Sequence, residues 1–149
     1  MSALVARALE HVHGHLGWLT ALALAHPAIL LRRRRRRALG VAAAATALAT
    51  ATATLGALLY PQYRAVIKPL LFAASPAVGE LFERKEHLGV GALVLAWVGL
   101  GAHALSRRYD SAAAHDELGR LAFIAYAAAA ILATTTATLG VVVAVHRSW

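Results

Sequence analysis

The sequence has no cysteine. That excludes disulfides, thiolate metal sites, iron–sulfur clusters and covalent c-type haem attachment. Acidic residues are scarce as well: seven Asp and Glu stand against fifteen Lys and Arg, and none lies inside a long apolar run. The absence of an intramembrane carboxylate argues against a proton relay or a cation-transporter path. The chain also lacks a phosphate loop, a nucleophile constellation and paired carboxylates, which argues against a self-contained hydrolase.

Apolar residues are abundant. Sixty per cent of the 149 residues are hydrophobic and the mean hydropathy is +0.61. That is too apolar for an ordinary soluble fold of one-domain length, so the predicted class is all-α, an integral membrane four-helix bundle whose outer surface faces lipid. The four spans are predicted at about 11–31, 38–60, 87–105 and 121–145, forming a single membrane domain over 1–149. Residues 1–10 read as an interfacial turn of helix leading into the first span. Residues 61–86 hold three of the four prolines, four basic residues and three glutamates. They read as a long outer loop with an amphipathic patch, AVIKPLLF, on the surface. The polar stretch 106–120 reads as the second connection on the other side.

The first span is not a cleavable signal peptide, because its positive cluster follows the apolar run instead of preceding it. That cluster, Arg32 to Arg37, supplies six of the formal net charges of +8. Lying between two apolar segments, it sets topology and does not indicate a nucleic-acid partner. Loop 106–120 adds three arginines, whereas the basic residues of 61–86 are offset by Glu80, Glu83 and Glu86. The two arginine-bearing loops are therefore expected in the cytoplasm, with both termini and segment 61–86 outside. Trp18, Tyr60 and Trp149 then mark an outer aromatic belt. The expected setting is a bacterial cytoplasmic (inner) membrane.

A repeat accompanies this layout. HLG at 15–17 recurs at 87–89, and ATALATATATLG at 45–56 recurs as AAILATTTATLG at 129–140, with nine of twelve positions identical. A duplicated helical hairpin, its halves related by an axis along the membrane normal, explains both. Ala/Thr-rich membrane helices also resemble one another by composition alone.

Histidine within a span is costly and points to function. His11, His13, His15, His87 and His146 belong to the outer end, and His26, His103 and His115 to the inner end. His15 and His26 are eleven residues apart, which returns to nearly the same helix face after a rise of roughly 16 Å. Two histidine groups at opposite ends of four helices resemble the transmembrane b-type cytochromes, in which imidazoles on different helices clamp each haem iron. That resemblance implies one or two haem b groups held non-covalently. It also implies electron transfer between a quinone or dehydrogenase and a partner redox protein, within a larger membrane complex. The expected iron ligands are His15 with His87 at the outer site and His26 with His103 at the inner one. His11, His13, His146 and His115 are the fallbacks. His103 lies about 24 Å below His87 and on nearly the opposite face, so its pairing with His26 calls on a kink at Pro27. Gly14, Gly17, Gly56, Gly89, Gly91 and Gly140 would make room for a macrocycle, and Arg64, Lys68, Arg84 and Lys85 would meet propionates.

Plainer roles account for the same residues. Glycine and threonine let membrane helices pack closely, and boundary histidines are simply wetted. A cofactor-free structural or accessory subunit of a larger membrane complex is the alternative reading. A divalent metal is a further option, since His11 and His15 share a face at i, i+4, although such sites usually take more ligands.

Overall fold

The structure, a computed structural model, describes residues 3–33 and 38–146. Arg34 to Arg37, Arg147 and Trp149, which enter the orientation reading, lie outside the described residues. The elements in chain order are α1 (Ala3–Arg32), α2 (Ala38–Gln62), a π-helical stretch (Tyr63–Ile67), α3 (Lys68–Ala74), α4 (Pro76–Ser106) and α5 (Ala112–Val145). The described residues are all-helical, and four helices are long and apolar enough to cross a membrane: α1, α2 with its continuation into α3, α4 and α5. At 1.5 Å per residue, the 30 residues of α1 span about 45 Å, which exceeds a hydrocarbon layer of roughly 30 Å.

Two connections differ from expectation. Segment 61–86 is helical on both sides of Ser75 rather than a loop. Its prolines suggested irregular structure, yet Pro76 opens α4 and Pro69 is the second residue of α3. At Pro76, which follows the extended Ser75, a missing N–H breaks no intrahelical bond, whereas Pro69 directly follows the π-helical stretch in a continuous helical backbone. Pro61 lies in the last turn of α2, just before the π-helical stretch. Ile67 with Leu71, and Val78 with Phe82, recur at helical spacing and bury themselves against each other and Val143. The helices approach closely because position 79 is glycine; a Cβ there would lie 2.6 Å from the Phe72 ring. Likewise, the second connection is only 107–111, since α5 starts at Ala112 and takes up most of the polar stretch.

The helices form a ring in which α1 packs on α2 and α5, while α4 packs on α5 and α2. α1 and α4 therefore occupy opposite corners. The centre is mostly alanine: Ala21, Ala28, Ala42, Ala45, Ala49, Ala92, Ala96, Ala129 and Ala133, with Leu24 and Tyr126. Small side chains permit the close backbone approach and dispersion contact that would hold such helices together in lipid, where water-driven burial does not. Polar groups in this core are matched. The Tyr126 hydroxyl donates to the Ala42 carbonyl at 3.1 Å and shares a 2.8 Å hydroxyl–hydroxyl hydrogen bond with Thr46, tying α5 to α2 across the middle. Thr20 and Thr52 join α1 to α2 at 2.8 Å. Outward threonines such as Thr54, Thr134, Thr135 and Thr138 donate to the carbonyl four residues back. The hydroxyl protons of these exposed threonines are thereby satisfied within their own helix.

Burial follows the repeat. The offset that relates Ala45 to Ala129 also pairs the buried residues Ala38 with Ala122, Ala42 with Tyr126, and Ala49 with Ala133. The offset that relates His15 to His87 pairs buried Thr20 with Ala92, Leu24 with Ala96, and Pro27 with Gly99.

Candidate functional site

Helix periodicity decides where each imidazole points. On α1 the inward stripe runs through Thr20, Leu24 and Pro27, and the outward stripe through Trp18, Leu22 and Ile29. His15 and His26 fall on the outward stripe and are exposed, as is His11. Leu22, between them, is 70% exposed, so this face looks away from the bundle. His87 on α4 is exposed too; its Nδ1–H donates to the Glu83 carbonyl at 2.8 Å. A carbonyl only accepts, so this contact fixes the tautomer and leaves Nε2 with the lone pair. His146 repeats the arrangement with the Val142 carbonyl.

His103 is the one expected ligand that turns inward. Both of its ring nitrogens are buried without a hydrogen-bond partner among the described residues. One turn on, the Ser106 hydroxyl donates to the His103 carbonyl at 2.8 Å, and Nδ1–H of His115 donates to the Ser106 carbonyl at 3.0 Å. These bonds lock the end of α4 to the start of α5.

The expected pairs are thus not brought face to face within one chain. His15 and His87 stand on opposite corners of the ring, both turned outward. His26 points out, whereas His103 points in. The space between the corners is occupied by Leu24, Tyr126, Thr46 and alanines. Among the described residues no group of three or more His, Asp or Glu is arranged to hold a metal ion. A haem clamped between these pairs inside one chain does not fit this packing.

The residue that sequence reasoning placed only among the fallback ligands is His13, whose boundary position also suited a plainly wetted imidazole. It lies on the α1 stripe that continues one turn above Leu16 and Thr20, and that periodicity was the available signal. Its ring sits over Gly56, with Cε1 2.9 Å from where a Cβ would be, and it is hydrogen-bonded to the Thr52 backbone. Its Nδ1 is buried without a partner among the described residues. The repeat-related position on α4 is Lys85, whose Cδ lies 3.7 Å from a Cβ placed on Gly140. The two halves therefore close the His13 and Lys85 end of the bundle alike, a basic side chain from α1 or α4 lying across a glycine of α2 or α5.

Three of the four candidate propionate partners are already engaged. Lys68 is ion-paired with Glu83, Arg84 with Glu80 at 3.3 Å, and the Lys85 ammonium lies 5.0 Å from the Phe82 ring centroid. The hydrogen bond from Lys68 holds the Glu83 carboxyl below the usual carboxylate range and the Lys68 ammonium above its own. This pair ties α3 to α4 above the apolar stretch. No protein family, curated protein or solved structure matches the chain.

Proposed function

We propose that the chain is a small four-span accessory subunit of a larger membrane complex, built as a duplicated hairpin. It would sit in a bacterial cytoplasmic membrane with the arginine-rich end inside and both termini outside. The observation that carries this reading is the outward stripe of α1, on which His15 and His26 accompany Trp18, Leu22 and Ile29. Imidazoles at membrane depth are rarely left against lipid, so a partner's helix is the natural cover for that face. The interior, by contrast, is filled with alanine and a hydroxyl network whose groups bond to one another and to backbone carbonyls. A photo-crosslinking residue in place of Leu22, used in native membranes, should give one discrete protein adduct. Adducts with lipid alone, at Leu22 and at Ile29, would remove the support.

A second reading, a b-type cytochrome subunit passing electrons between a quinone or dehydrogenase and a partner redox protein, draws on the same stripe. His15 and His26 share a face at the rise expected for two stacked haem groups. Since the four candidate ligands form no pair within one chain, the opposing imidazoles would come from the partner. Haem would supply the redox chemistry; this chain's part would be to present His15 and His26. The purified complex should then show a Soret band that His15→Ala weakens, and a colourless folded complex rejects it.

A further inference from the structure

His11 and His15 are separated by one turn of α1 and both are exposed at its outer end. Residues four apart on a helix place their Cβ atoms about 5–6 Å from each other. That is the spacing at which two imidazoles reach adjacent positions on one ion at metal–nitrogen distances of roughly 2.0–2.1 Å. Among the described residues no hydrogen bond or ion pair engages either ring. His13, between them in sequence, is turned the other way, over Gly56.

The second half of the chain supplies an internal comparison. The repeat places Glu83 and His87 of α4 at the positions of His11 and His15. There the carboxylate is taken by Lys68 and the His87 Nδ1–H by the Glu83 carbonyl. Only the α1 copy presents two imidazoles of which neither is already held.

We infer that His11 and His15 form a two-imidazole site for a divalent transition-metal ion at the outer end of α1. Neutral imidazole donors without thiolate or carboxylate favour Cu²⁺ over Ni²⁺ and Zn²⁺. Two protein donors leave the other coordination positions to water or to a donor from outside the chain. Arg7, one turn earlier and exposed, adds a like charge that weakens the site without blocking it. Trp18 follows His15 by three residues and is 42% exposed, so a paramagnetic ion bound there quenches its fluorescence.

The test uses the full chain, tag-free, in detergent, titrated with Cu²⁺ and Ni²⁺ by fluorescence and calorimetry. The wild type should bind about one ion per chain, and Trp18→Phe should remove most of the quenching while leaving the calorimetric binding. Because the second imidazole acts at high effective concentration, His11→Gln and His15→Gln should each weaken binding at least about tenfold. His87→Gln should change nothing. All four substitutions fall on exposed positions, and unchanged circular dichroism confirms folding. Equal binding by His11→Gln, His15→Gln and wild type, or no saturable binding by wild type, overturns the site. His15 is also a candidate haem ligand, but the absorption spectrum reports haem alone, and His11→Gln affects only the metal site. Failure of one reading is therefore distinguishable from failure of the other.

Discussion

Replacing Gly99 by alanine tests whether the bundle is held at its centre as described. A Cβ on Gly99 would lie 2.8 Å from Cδ2 and 2.9 Å from Cε2 of Tyr126. The Tyr126 ring is fully buried and its hydroxyl is bonded to Ala42 and Thr46 on α2, so it has nowhere to retreat. Gly101, two residues on in the same helix, has no heavy atom within 4 Å of an added Cβ. Alanine gains about 0.5–1 kcal/mol over glycine in a helix interior, and that gain is common to both sites. What remains is the overpacking at position 99, typically about 1–3 kcal/mol. Gly101→Ala should therefore be neutral or stabilising. Gly99→Ala should be less stable than Gly101→Ala by that amount, roughly 5- to 150-fold in the unfolding constant. Unfolding by a denaturing detergent titrated into mild detergent, followed by circular dichroism, reads the difference. The identity of the clashing atoms adds a second condition. Tyr126→Phe keeps the ring carbons and should not rescue Gly99→Ala, whereas Tyr126→Leu in that background should recover part of the loss. Equal stability of the two alanine variants, or rescue by phenylalanine, would refute the proposed packing.

Two further outcomes follow from the outer end. Gly56→Ala should destabilise by about 1–3 kcal/mol because the His13 ring occupies the space at 2.9 Å, and His13→Ala should relieve it. The repeat-related Gly140→Ala meets Lys85 only at 3.7 Å and should be tolerated, as a thermal-melt comparison of the three variants would show. The Lys68–Glu83 pair makes the α3–α4 hairpin sensitive to acid. Because Glu83's folded pKa is depressed, its contribution is present above the ordinary glutamate value and is lost as pH falls through the lowered one. Amide hydrogen exchange over 63–74 should accelerate in that acidic window, and Glu83→Gln should show the faster exchange already at neutral pH. An unchanged profile in Glu83→Gln counts against the pair as a tether.

Much of the architecture was readable without coordinates. Four uncharged runs long enough to span a bilayer admit few structures other than helices, because lipid leaves every backbone N–H and C=O to be satisfied within the segment. The repeat was legible in nine matching letters, and burial respects it from Ala38/Ala122 to Ala49/Ala133. Segment 61–86 was misjudged because proline is ambiguous in a string of letters: it breaks a helix interior but suits a first turn. Only the contact of Phe72 with Gly79, and of Ile67 and Leu71 with Phe82, determined which applied.

The histidines mark the boundary of what sequence settles. Spacing established that His15 and His26 share a helix face, and the structure agrees. Which way that face turns depends on where α2 and α5 pack against α1, a property of the whole ring and not of any segment. Tertiary packing alone set the stripe outward, brought His13 in over Gly56 and left both nitrogens of His103 without partners among the described residues. It did so because alanine at the contacts lets the helices close on one another, leaving large side chains and most imidazoles on the outside.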